Sequence, residues 1–482
     1  MIDLRPVGYV VGLLAATLGV AMIVPLVIDL AHGNGHWSAF GQSAIVTGLA
    51  GGLLALACAN GVGARISLQQ SFLLATGVWV VLPLFGALPF LFGATSARVV
   101  DAVFEAMSGL TTTGATVFVG LESLPEGLLL WRSMLQWFGG IGIIIVAMVF
   151  LPELRVGGMQ IFRSEAFDTG GKVLPRAAQI AAQIMGIYVG LTVLCAAAYM
   201  IVGMTGFDAV NHALTTVSTG GFSTTDASFG VYQGMPEYLA SVFMVLASLP
   251  FVRYVQMAAG SPGPLLRDRQ VRAFLWVVAV LVAVITAYRI VANDDHAEHA
   301  FREAIFNVTS IITGTGYASV DYQLWGQFPI VLFFFIGLIG GCAGSTCCSV
   351  KIFRYQLLVA AVSSQIRRIH SPNGVFTPRY DGQPVHDDVL SSVMAFLGVF
   401  VVSLGMIAVL LALTGLDFVT SISGAATAIA NIGPGLGEII GPAGNFAALN
   451  DTAKWILSAA MLLGRLELLV VLVLFLPRFW RG

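Results

Sequence analysis

Ile305-Phe-Asn-Val-Thr-Ser-Ile-Ile-Thr-Gly-Thr-Gly-Tyr317 is a half-polar segment between two apolar stretches, and the chain contains four such segments. The others are Val103-Phe-Glu-Ala-Met-Ser-Gly-Leu-Thr-Thr-Thr-Gly-Ala115, Ala209-Val-Asn-His-Ala-Leu-Thr-Thr-Val-Ser-Thr-Gly-Gly221 and Ser421-Ile-Ser-Gly-Ala-Ala-Thr-Ala-Ile-Ala-Asn-Ile-Gly-Pro434. Each ends at a comparable glycine: Gly114, Gly220, Gly316 and Gly433. The glycines recur roughly every hundred residues with the same order of apolar and polar elements, which indicates internal duplication. About a dozen residues cannot cross a hydrocarbon core of about 30 Å, so each segment enters and leaves on one side. Non-helical backbone at that depth survives only inside protein or along a water-filled cavity. Four such loops therefore meet at one axis and line a pore.

The composition agrees. Of 482 residues, 57% are hydrophobic and only 10% charged, too few charges for the surface of a water-soluble globule. Mean hydropathy is +0.89. Apolar blocks near 8–30, 41–60, 68–93, 128–151, 177–203, 237–258, 271–292, 328–362, 389–414 and 455–476 read as ten crossings. The first block carries no small-residue cleavage site and is expected to stay in the protein. The reading is an all-α integral membrane protein, an N-terminal helix hairpin (1–66) plus four helix–pore loop–helix repeats around a pseudo-fourfold pore. The repeats divide at 67–158, 159–262, 263–375 and 376–482.

Charge assigned to connections gives an orientation. Arg155, Arg163, Lys172 and Arg176 share one loop; Arg253, Arg267, Arg269 and Arg272 a second; Lys351, Arg354, Arg367, Arg368 and Arg379 a third. These loops are expected on the cytoplasmic side. The alternate loops carry acids such as Asp101, Asp226, Glu303 and Asp451, so the outer face reads as acidic and poor in basic residues. His32, His36 and His370 read as ordinary loop residues. Five cysteines, an odd number in apolar or small-residue segments, argue against a disulfide framework. Cys342, Cys347 and Cys348 have no flanking His or carboxylate and read as packing residues, not a metal site.

A dehydrated monovalent cation needs several oxygen ligands, and rings of backbone carbonyls supply them without formal charge. Glycine permits the left-handed torsions that let successive carbonyls point the same way. The candidate ion-binding residues are Thr112, Thr113 and Gly114; Ser218, Thr219 and Gly220; Gly314, Thr315 and Gly316; and Asn431, Ile432 and Gly433. The fourth set, with Asn431 and Ile432, is expected to coordinate less well. Glu105, Asn211 and Asn307 each precede their glycine by nine residues on the pore helices, and the two asparagines are expected to bond neighbouring backbone.

Thr111-Thr-Thr-Gly-Ala-Thr116, Ser218-Thr-Gly-Gly-Phe-Ser223, Gly314-Thr-Gly-Tyr-Ala318 and Asn431-Ile-Gly-Pro-Gly-Leu-Gly437 resemble the four selectivity-filter segments of the TrkH, TrkG and KtrB superfamily of potassium transporters. The N-terminal hairpin and Trp137-Phe-Gly-Gly-Ile-Gly142 bring the resemblance closest to TrkH. It implies potassium uptake across a bacterial inner membrane, a homodimer, and a cytoplasmic ring of TrkA-type nucleotide-binding regulatory subunits. It implies no cofactor beyond the transported potassium ion, and no nucleic acid. With all four glycines present, it implies preference for potassium and rubidium over sodium and lithium.

The resemblance also places a gate. Gly340-Gly-Cys-Ala-Gly-Ser-Thr-Cys-Cys-Ser-Val-Lys351 interrupts helix propensity in the middle of the apolar span 328–362. In the family this position is an intramembrane loop that obstructs the closed pore, usually with a glycine-rich core. Here Gly344, Ser345, Thr346, Cys347 and Cys348 form it, with Cys347, Cys348 and Ser349 standing where the family is richer in glycine. Arg465 lies inside the last crossing, where a charge costs roughly 2.5–3.5 kcal/mol. It either pairs with Glu467 or the ends of a neighbouring helix, or faces the pore below the filter, and the resemblance favours the latter; Lys351 receives a similar assignment.

A secondary transporter of a small organic solute is the alternative, but such carriers commonly show two multi-helix halves and not four short repeats. His-Glu-x-x-His, Gly-x-Ser-x-Gly and the phosphate-binding loop are all missing from the sequence, so hydrolysis and direct ATP use have no support.

Overall fold

The computed structural model describes residues 2–61, 66–147, 157–159 and 173–481. The basic connection assigned to Arg155, Arg163 and Lys172 lies outside the described residues, as does the side chain of Arg176.

The N-terminal hairpin pairs Arg5–Ala31 with Trp37–Ala57. Small residues set its closeness. A Cβ on Gly12 would fall within 3.0 Å of the Ala55 backbone, and one on Gly51 would collide with the backbone of Ala16. Between helices in lipid, which offers no hydrophobic drive to associate, such backbone-to-backbone contact is the attraction available. Buried Asp29 then fastens the hairpin to the first repeat. Its carboxylate accepts the backbone N–H of Gly127 at 2.8 Å and faces Nδ1 of His36 at 2.8 Å. His36, expected as an ordinary loop residue, is thus a buried fastening.

Each repeat then runs outward helix, pore helix, extended strand, inner helix. The first uses Leu68–Phe92, Val99–Leu110 and Glu126–Ile145. The second uses Val173–Ile201, Gly206–Val217 and Met235–Ala247 with Phe251–Ala258. The third uses Arg269–Ala292, Ala297–Thr313 and Gln327–Gly337 with Ile352–His370; the fourth Asp387–Leu413, Phe418–Ala430 and Asp451–Arg465 with Leu469–Phe475. The first pore helix is buried along nearly its whole length, whereas outer helices expose Val193, Ile201, Val401 and Leu413. That is the distribution of a bundle whose solvent is lipid outside and protein inside.

The inner helices correct the reading of uninterrupted crossings. Among the described residues seven helices are long and apolar enough to span singly. The expected spans at 237–258 and 455–476 are each bent, by 89° after Ala247 and by 104° after Arg465. The span 328–362 is broken, as its composition suggested, with Leu338–Lys351 outside any helix. Among the described residues the first inner helix is the one that runs unbroken, through Ile145. Lys351 and Arg354, counted as surface charges of a cytoplasmic loop, are buried instead.

Substituting Gly51 by leucine is expected to force the hairpin apart and abolish a monodisperse peak on size exclusion in detergent. Gly52→Leu, one residue on and facing open space, is expected to elute like the parent.

Candidate functional site

All four pore helices end in the same way. Thr112, Thr219, Gly314 and Asn431 take left-handed torsions, with φ of 52°, 51°, 73° and 53°. The following residue then donates its N–H to a carbonyl five back: Thr113 to Ser108, Gly220 to Thr215, Thr315 to Ser310 and Ile432 to Thr427, at 2.8–3.0 Å. This Schellman closure terminates each helix and turns the chain into the extended strand. Threonine in that conformation is strained by about 1–3 kcal/mol, so the surrounding protein must enforce it.

The shared closure fixes the register. The next residue is Gly114, Gly221, Gly316 and Gly433, all with positive φ between 78° and 109°. In the second quarter the equivalent glycine is therefore Gly221, not Gly220, and Ser218 belongs to the helix cap. The matching triplet is Thr219, Gly220 and Gly221. The same shift makes His212, not Asn211, the counterpart of Glu105 and Asn307.

These glycines close a ring. A Cβ on Gly114 would fall within 3.0 Å of the Gly220 carbonyl oxygen; one on Gly221 would meet that of Thr315, one on Gly316 that of Ile432, and one on Gly433 that of Thr113. Each quarter thus leans on the next, and the fourth returns to the first. All four glycines border one open vestibule of about 210 Å³.

Polar side chains hold the strands behind the ring. Glu105 accepts the Val117 N–H at 2.9 Å and the Thr116 hydroxyl, and forms a buried ion pair with Arg132 at 2.8 Å. Arg132 donates on to the Ser223 carbonyl and covers the Phe222 ring at 4.2 Å. His212 faces the Ser223 hydroxyl at 3.0 Å, Asn307 donates to that of Ser319 at 3.0 Å, and Ser423 accepts the Leu436 N–H at 2.9 Å. Asn211 bonds the Phe207 carbonyl, as a backbone-satisfying residue should. Asn431 joins two quarters, donating to the Thr113 hydroxyl at 2.9 Å and to the Met461 carbonyl at 3.0 Å. Gln136, unnoticed in the sequence, donates to the Gly220 carbonyl at 2.6 Å and accepts the Phe222 N–H at 3.0 Å.

The interrupted span contacts the second quarter directly. The Thr219 hydroxyl bonds that of Thr346 at 3.1 Å, and Thr346 also donates to the Ala247 carbonyl at 3.0 Å, beside the bend in the second inner helix. Gly344 accepts the Phe251 N–H, Ser345 closes on the Cys342 carbonyl at 2.6 Å, and the Cys347 thiol meets the Ser248 hydroxyl. Ser349 and Lys351 have φ of 64° and 71°, glycine-like torsions held by residues that disfavour them. Arg465 does not pair with Glu467. It donates to the Gly139 carbonyl at 2.8 Å, to the Thr346 carbonyl at 3.4 Å and to the Cys348 sulfur. Glu467 instead receives Lys351 at 2.9 Å and Arg354.

The few basic residues of the outer face are engaged in ion pairs. Arg98, Arg132, Arg289, Arg302 and Lys454 all meet the acids of that face: Asp101, Glu105, Asp295, Glu303 and Glu237 among them. Asp417 caps the fourth pore helix, and bonds from the Thr420 side chain and backbone hold its carboxyl below the usual range. Most of the acids are thus engaged in structure.

Residues 36–481 match the TrkH family, described as a cation transport protein. The chain is 44% identical to the Trk system potassium uptake protein TrkI of Halomonas elongata, covering 99% of this chain and 97% of the relative. It is 37% identical to TrkH of Escherichia coli strain K12, with 99% of each chain covered. The structure aligns with the crystal structure of the potassium transporter TrkH from Vibrio parahaemolyticus at a TM-score of 0.92, with 33% identity and full coverage of both chains.

Breaking the buried Glu105–Arg132 pair is expected to be costly. Glu105→Gln should lower stability by about 3–5 kcal/mol, read as a drop in thermal unfolding temperature, and adding Arg132→Met should recover part of the loss.

Proposed function

Because this chain belongs to the TrkH family of cation transport proteins, we propose that it takes up potassium through the ring formed by its four pore loops. The observation that carries this reading is the closure of that ring, glycine against carbonyl, four times around one axis. The protein is a multi-pass membrane transporter and not an enzyme. An organic-solute carrier would need a side-chain-lined pocket between two halves; the four-part ring of backbone oxygen suits a bare cation better.

In this reading the carbonyls of Thr113, Gly220, Thr315 and Ile432, with those of the neighbouring residues, replace the hydration shell of the ion. The C-terminal ends of four pore helices add partial negative charge toward the same place. The fourth quarter contributes a carbonyl like the others, and its Asn431 side chain serves as a tie between quarters. Discrimination follows from how rigidly the carbonyls are held apart, which is the task of the tethers behind the ring.

The loop from Leu338 to Lys351 acts as the gate. Its contact with Thr219 and its ties to Arg465 support a position directly under the second quarter, and the guanidinium adds a positive charge that repels cations from the closed path. Opening requires the bonds from Arg465 to Thr346 and Cys348 to give way. A cytoplasmic ring of TrkA-type nucleotide-binding subunits would supply the work, acting on the Ile352–His370 helix that follows the loop. A homodimer in a bacterial inner membrane completes the proposal, with the basic residues Arg367, Arg368 and Arg379 on the cytoplasmic side.

Two measurements test it. Rubidium uptake into proteoliposomes should saturate and be competed by potassium far better than by sodium or lithium. Gly316→Ser and Gly221→Ser should both weaken that preference, and an unchanged ratio in both variants would remove the ring from the ion path. If the unmodified protein carries no rubidium with or without its regulatory subunit, the organic-solute carrier is the better reading. Arg465→Ala should raise basal rubidium leak roughly tenfold, the equivalent of one charge-assisted hydrogen bond of about 1.5 kcal/mol; normal expression with unaltered leak would exclude it from the gate.

A further inference from the structure

Beside the pore unit, the start of the Arg269–Ala292 helix and the Ile352–His370 helix enclose an open groove of about 830 Å³. Its mouth is cationic. Arg269, Arg272 and Arg379 border it, and an adjoining cavity of about 400 Å³ continues past Ser363 to Arg367. Arg379 is held there by a two-residue hairpin in which Arg379 and Tyr380 pair with Pro384 and Gln383. Among the described residues these four arginines meet one carboxylate, Asp381, at 3.8 Å from Arg269. Asp268 is engaged by Arg253 at 2.8 Å, and Arg272 spends one N–H on the Arg267 carbonyl.

The floor is of the opposite kind. Trp276 and Val359 line the same groove and are 71% and 68% exposed. Trp276 lies seven residues into a spanning helix, about 10 Å deeper than Arg269 at a rise of about 1.5 Å per residue. A row of guanidinium groups at the head of a spanning helix, with an exposed indole deeper on that helix and an exposed valine on the facing wall, has one amphipathic complement. The upper part suits a phosphodiester, which the planar arginine fork grips in two places. The lower part suits hydrocarbon, and a tryptophan at that level favours the boundary between head group and chain.

We propose that this groove binds an anionic phospholipid, its phosphate among Arg269, Arg272 and Arg379 and one acyl chain along Trp276 and Val359. The Gln356 side chain, which donates to the Arg269 carbonyl at 3.0 Å, ties the two helical walls together and keeps the groove preformed. The site lies away from the pore ring and does not depend on which ion passes through it.

The test is native mass spectrometry of the full chain, stripped of co-purified lipid and titrated with phosphatidylglycerol or phosphatidylcholine. Phosphatidylglycerol should be retained about tenfold better, since each basic residue near an anionic lipid contributes a several-fold preference. The Arg269→Gln/Arg272→Gln/Arg379→Gln variant should lose that preference, and lysine at all three positions should restore part of it. Should the triple variant not fold, Arg379→Gln on the exposed hairpin serves, with a smaller loss expected. Equal retention of both lipids, or a preference that survives the substitutions, overturns the proposal. Displacement of the lipid by inorganic phosphate alone would make it a soluble-anion site. A shift in oligomeric state with unchanged lipid retention would make the groove a contact between copies of the chain.

Discussion

Everything in this molecule is arranged around a space too small for a methyl group. At Gly114, Gly221, Gly316 and Gly433 a Cβ would fall within 3.0 Å of a backbone carbonyl oxygen in the next quarter. That closeness brings four separate strands to one axis without any side chain between them. It also demands left-handed backbone at eight positions, two in each quarter and two residues apart, four of them glycine by necessity and three occupied by Thr112, Thr219 and Asn431 against their preference. Strain of this kind persists only where the surroundings over-determine it. Here the tethers from Glu105, His212, Asn307 and Ser423 do so, each fixing the strand just beyond its own glycine.

The broken inner helices follow from the same geometry. A helix that approaches as closely as Gly464 does to the Ile429 carbonyl leaves little room beneath the ring, and three of the four inner helices turn aside at that level. Bending after Ala247 and after Arg465, and leaving Leu338–Lys351 unwound, opens that room, and the freed backbone groups are taken up locally. Phe251 N–H finds Gly344, Cys342 N–H finds Ser248, and Ile352 N–H finds Gly341. In a medium without water such replacement is obligatory. The charges nearby obey the same rule: Arg465 is spread over two carbonyls and a sulfur, while Lys351 and Arg354 share Glu467.

How much of this was legible in the sequence depends on how local each signal is. The four pore loops were, because Thr, Ser and Gly in apolar surroundings break a crossing whatever their partners. The unwound stretch before Lys351 was legible for the same reason. Two consecutive glycines hid the register of the second quarter, since composition cannot say which of Gly220 and Gly221 follows the helix closure. The bend after Arg465 was hidden because Glu467 and Leu468, which take left-handed torsions there, announce nothing by type. The ion pairs were hidden by distance along the chain: Arg132 and Glu105 are 27 residues apart, Lys454 and Asp101 are 353 apart. Charges assigned to loops one at a time could not show which acids of the outer face are paired across the fold, as Asp101, Glu105, Glu237, Asp295 and Glu303 are.

One asymmetry bears on motion. At the depth where three inner helices are jointed, the first continues through Ile145 as an unbroken rod. A passage with four equal joints would widen like an iris. The passage here lacks that symmetry, because the first wall is continuous where the other three are jointed, and Gly139 on the continuous helix carries the carbonyl to which Arg465 donates at 2.8 Å.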